Sequence, residues 1–137
     1  MNYVEATRIS KDGFEIDFKS PTGMSCGIFA TEEAFNDGDP DLPAPEVIIG
    51  AYGHHEHLKP DKVVEFLKGV FAEAIVFIEQ SRFGALPEKL YFASPDNVNK
   101  PILSTTLLFS LFTWILPQRL FSSKRAVKSW LGTYDAR

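Results

Sequence analysis

PDKVVEFLKGVFAEAIVFIEQS, residues 60–81, is the stretch on which the reading of the fold turns. Pro60 suits the first position of a helix, where a missing N–H does no harm. Val63, Val64, Phe66, Leu67, Val70, Phe71, Ala74 and Ile75 then recur at helical spacing. Asp61, Lys62, Glu65, Lys68, Gly69, Ala72 and Glu73 fill the opposite side. Ala74 to Ile78 is apolar all round, which predicts an end sunk in the core. The pattern predicts one long helix over 60–81, closed by the turn signals between Phe83 and Pro87.

Upstream the period changes from 3.6 to 2. Asn2 to Ser10 alternates loosely and predicts a strand, and Lys11-Asp12-Gly13 predicts a tight turn. Phe14-Glu15-Ile16-Asp17-Phe18-Lys19 alternates cleanly, which predicts a half-buried strand with Phe14, Ile16 and Phe18 facing inward. Ser20 to Gly23 is a second turn signal, and Met24 to Ala30 a third strand, so the start reads as a β-meander. Thr31 to Phe35 fits a helical turn, 36–45 a loop, and Glu46 to Tyr52 a more buried strand.

Downstream, Lys89 to Ala93 predicts a strand and Ser94 to Pro101 a polar turn. Ile102 to Leu116 predicts a second helix, with Thr106, Ser110 and Thr113 as a hydroxyl stripe able to bond back to its own backbone. Pro117 would stop it, and a third helix over 122–131 would be capped by Ser122 or Ser123 and closed by Gly132. The expected class is α+β in a single domain, 1–137: a mainly antiparallel sheet with three helices on one face.

Composition narrows the function. The chain has 137 residues and one cysteine, so no intramolecular disulfide can form, which suits a reducing cytoplasmic setting. The opening Met1-Asn2-Tyr3-Val4-Glu5 lacks the basic and apolar pattern of a secretory signal. Ile102 to Leu116 is shorter than the roughly 20 apolar residues a bilayer span needs. Residues 1–99 carry 8 Lys and Arg against 17 Asp and Glu, and residues 100–137 carry 6 against 1. A net charge of -4 repels phosphate, so nucleic acid is not an expected partner.

Four groups of residues could carry chemistry. Glu32, Glu33, Asp37, Asp39, Asp41 and Glu46 form an acidic run with no Lys or Arg between its ends, suited to docking a basic protein. Asp37, Asp39 and Asp41 copy the first half of a calcium loop, but Leu42 and Ile48 stand where that loop needs Gly and Glu. His54, His55 and His57 are all the histidines of the chain; with a carboxylate such as Glu56 or Asp61 they could bind zinc or act as acid and base. The spacing matches no helical or finger zinc motif, so no cofactor is expected. Cys26 would need a histidine partner to act as a nucleophile. Arg119, Lys124, Arg125 and Lys128, with Trp114, Phe121 and Trp130 nearby, read as a solvated helix face.

Phosphate-binding glycine loops, nucleophile elbows and dinucleotide fingerprints are absent. The expected function is therefore a small intracellular binding protein that acts by occupying a basic partner through the acidic run. A bacterial immunity-type inhibitor of a basic, nuclease-like toxin is one concrete form, a likeness of bulk properties only. Two alternatives stand beside it. One is a metal-assisted or acid–base enzyme using His54, His55 and His57. The other is a regulatory subunit of an oligomer that buries Ile102 to Leu116 against another chain.

Overall fold

The structure, a computed structural model, describes residues 3–31, 46–81, 88–107 and 124–135. Among these residues the chain is mainly β, with two antiparallel sheets and one short helix, which overturns the expected three-helix α+β arrangement.

The first sheet is a meander of β1 (Val4–Ser10), β2 (Gly13–Lys19), β3 (Ser25–Thr31), β4 (Val47–Ala51) and β5 (His54–Leu58), paired in that order. Side chains alternate across it, so Met24, Cys26, Ile28 and Ala30 of the second hairpin face inward with Val47, Ile49 and Ala51 of β4. Ser20 shapes the β2–β3 turn by accepting the amides of Thr22 (3.2 Å) and Met24 (2.8 Å) on its hydroxyl. Tyr52 and Gly53 form the two-residue β4–β5 turn, both at positive φ (51° and 85°), as a twist-matched hairpin requires. The Tyr52 ring is held there against Phe77, with centroids 5.2 Å apart, and under the Lys128 ammonium at 4.1 Å.

The predicted helix over 60–81 is two elements: α1 (Pro60–Phe71) and β6 (Val76–Ser81). The break lies at Glu73, whose backbone is left-handed (φ 57°). The Glu73 amide bonds the carbonyl of Val70 (3.1 Å), and the Ile75 amide that of Gly69 (3.0 Å), closing the helix. A Cβ on Gly69 would sit 2.7 Å from Ile75 Cδ1, so a larger residue there would require the Ile75 side chain to shift. Ala74 to Ile78 is apolar all round because it leads into a strand buried on both faces.

The second sheet runs β10 (Lys124–Lys128), β6, β7 (Lys89–Ser94), β8 (Asn97–Pro101), with β9 (Thr106–Leu107) pairing the other end of β7. Asn97 to Pro101, expected as a turn, is thus a strand. The helix expected over 102–116 fails at its start: Thr106 and Leu107 pair with Leu90 and Lys89, while 108–116 lies outside the described residues. The helix expected over 122–131 is replaced by β10, which supplies the free edge of β6 with hydrogen-bond partners. Lys128 pairs there with Glu79 at 2.9 Å. Gly132 (φ 82°) shapes a turn after β10 and closes no helix.

The facing sides of the sheets and the apolar stripe of α1 share one core. Phe66 and Val70 of α1 meet Phe77, Leu90, Phe92 and Trp130, with Tyr3, Phe18 and Phe71 packed at one side. The other face of the second sheet is also dry: Val76, Ile78, Tyr91 and Ala93 are buried. Each fully buried large side chain contributes roughly 1.5–3 kcal/mol.

Candidate functional site

β5 decides where the histidines go. Its alternation sends His54, Glu56 and Leu58 into the core and leaves His55 and His57 exposed on the outer face. The three rings therefore do not converge. His55 and His57 stand 5.2 Å apart between centroids, and His57 Nδ1 lies 2.8 Å from Glu46. Among the described residues no group of three or more His, Cys, Asp or Glu side chains is placed to hold a metal ion.

His54 is fully enclosed, its ring 5.4 Å from that of Phe92. Nδ1 lies 2.7 Å from the Thr106 hydroxyl and Nε2 2.9 Å from Glu56 Oε1. Glu56, also buried, accepts the Ser104 amide (3.0 Å) and hydroxyl (2.9 Å). For a neutral imidazole beside a carboxylate, Nε2–H donates to Glu56 and Nδ1 accepts from Thr106. A hydroxyl–imidazole–carboxylate chain is the layout of nucleophilic catalysis, but this imidazole is packed by aromatic rings with no face left for a substrate. Its evident work is to clamp β5 of the first sheet to the Ser104–Thr106 segment of the second, every polar atom partnered. Cys26 is likewise internal, and burial pushes its thiol up to about 12, away from the thiolate form.

The accessible chemistry lies on the outer face of the first sheet. The register aligns Asp17, Gly27, Gly50 and His55 across β2 to β5, and Glu15, Phe29, Ile48 and His57 in the row beside them. With no side chains at Gly27 and Gly50, the first row sinks into a trough of about 480 Å³. Asp17 and Glu5 stand on one side, and His55 and Tyr52 on the other. A bulge between Val4 and Ala6 brings Glu5 there. Arg8 bridges Glu15 (2.6 Å) and the Oδ2 of Asp17 (3.6 Å), and Lys19 pairs Glu5 (3.1 Å). In the second row Phe29 is 45% exposed, a large aromatic side chain left in water amid charges.

Of the acidic run, Glu46 is exposed at the start of β4, while Glu32, Glu33, Asp37, Asp39 and Asp41 lie outside the described residues. Of the basic group, Lys124 and Arg125 are exposed on β10, Lys128 pairs with Glu79, and Trp130 is fully buried; Arg119, Trp114 and Phe121 lie outside the described residues. The sequence reading missed Asp17, Gly27, Phe29 and Gly50 as a surface, and Glu56, Ser104 and Thr106 as partners of His54. Two glycines inside apolar strands were the available signal, because such glycines mark a close approach or a gap. Compared with known proteins, the chain matches no family model, no curated protein and no solved structure.

Proposed function

We propose that this chain is a binding module that occupies a basic partner protein, docking it on the outer face of the first sheet. The observation that carries this is Phe29, exposed at the middle of a sheet face among Glu15, Asp17 and Glu46. An exposed aromatic ringed by polar groups is the composition of an interface anchor and its rim. The described part of this face and its edges carries carboxylates at Glu5, Glu15, Asp17 and Glu46 against cations at Arg8 and Lys19. Thr31 and Glu46, between which the acidic run lies in sequence, stand at the Phe29 end of the sheet. Carboxylates so grouped would speed encounter with a cationic surface. An immunity-type inhibitor of a basic, nuclease-like toxin is the concrete form we favour, supported by small size and a net charge of -4.

The test is co-purification from native cells with the full chain as bait, beside Phe29→Ser. A partner with a basic isoelectric point should be recovered, release as salt rises, and bind the variant about 2 kcal/mol more weakly. A partner held equally by both baits at every salt concentration would remove this face as the dock.

A further inference from the structure

We infer that the Gly27–Gly50 trough is the subsite that receives an arginine side chain of the partner, its guanidinium lying flat on the two glycines with Asp17 as its carboxylate. This rests on the reading of the same face as a dock for a basic protein, and names the side chain that enters it.

Asp17 is the central evidence. Its two oxygens do different things. Oδ2 is turned toward Arg8 at 3.6 Å. Oδ1 leans over the trough floor, 3.3 Å from where a Cβ on Gly27 would stand. No hydrogen bond engages Oδ1 among the described residues, so an acceptor faces the trough. Arg8 spends its short contact on Glu15, at 2.6 Å, and leaves the inner oxygen of Asp17 to another donor.

The floor selects for a flat group. Gly27 and Gly50 are direct cross-strand partners, so two adjacent strands present bare backbone at one level. The walls, Asp17 and His55, are three strand spacings apart, roughly 14 Å between backbones. A planar, weakly hydrated guanidinium can lie on such a floor and offer in-plane N–H groups to a carboxylate. The His55 ring on the far wall suits the same cation, since guanidinium also stacks on π faces. A lysine ammonium keeps its charge but lacks the plane, and gains less from the floor.

Titrating the full chain with N-acetyl-Gly-Arg-Gly-amide, and with the same peptide carrying citrulline or lysine, tests this by amide shifts in NMR spectra. Citrulline keeps the shape and loses the charge. The arginine peptide should shift the Gly27 and Gly50 amides and bind about fivefold more tightly than the citrulline peptide. Asp17→Asn should erase that difference, and Gly50→Leu should block the trough for all three. If Gly50→Leu does not fold, Asp17→Asn decides alone. Equal binding of arginine and citrulline, equal binding of arginine and lysine, or shifts away from the trough would each overturn the assignment. A native partner that still depends on Phe29 while no peptide binds would sink this inference and leave the docking face standing. Peptide binding in the trough with a partner indifferent to Phe29 would remove the docking reading, and with it the partner as the source of the arginine, while leaving the trough as an arginine subsite.

Discussion

At the scale of residues, polarity and direction come apart in β5. A strand is legible when its inward positions are apolar, as in Phe14, Ile16 and Phe18 of β2. In β5 the inward positions are His54 and Glu56, so the alternation was present but invisible to a rule that sorts by hydrophobicity. Their burial is tolerable because Thr106 and Ser104, 52 and 48 residues further along, complete the hydrogen bonds. Nothing within residues 53–57 announces those partners. Removing one member leaves the other polar group enclosed and unmatched. His54→Ala should cost about 3 kcal/mol in urea unfolding, and changing His54 and Glu56 together to Leu should cost less than that single change. A loss below about 1 kcal/mol for His54→Ala would mean that water already reaches Glu56.

At the scale of elements, the apolar run 74–78 is the instructive failure. A buried strand and a buried helix end look alike over five residues. Length then favoured the wrong choice, because it joined smoothly to α1. The deciding feature is Glu73, a non-glycine residue in a left-handed conformation, which propensity argues against. It is held there from outside, by the amides of Leu131 (2.6 Å) and Thr133 (3.2 Å). The C-terminal region misled for a related reason: Lys124 to Lys128 has no strong period, and the open edge of β6 assigns it. Gln80 and Arg125 are direct cross-strand partners, so cysteines at these two positions should join in a disulfide on mild oxidation, checked by mass spectrometry after digestion. Failure to cross-link, with both thiols reactive, would mean that these two positions do not pair.

At the scale of the whole molecule, two long-range clamps join segments far apart in sequence. Glu73 fastens the close of α1 to the turn after β10, and its acidity reports the state of that joint. Burial disfavours its charge, but hydrogen bonds from Thr133, Ser129 and the Leu131 and Thr133 amides outweigh it and hold the carboxyl below its usual 4.5. A lowered folded value means that the carboxylate stabilises the fold fully above the usual value, and that this is lost as pH falls through the lowered one. Wild type should therefore exceed Glu73→Gln in stability at neutral pH, with the gap closing as pH falls below the usual 4.5; urea midpoints measure it, and a gap constant with pH would place the stabilisation elsewhere. The other clamp, through His54, Glu56, Ser104 and Thr106, has a consequence for descent. Four positions, two on β5 and two on the Ser104–Thr106 segment, satisfy one another's bonding, and a change at any one strands a partner. Lineages diverging from this chain should inherit the quartet intact or replace it wholesale with aliphatic side chains, with few half-converted forms surviving.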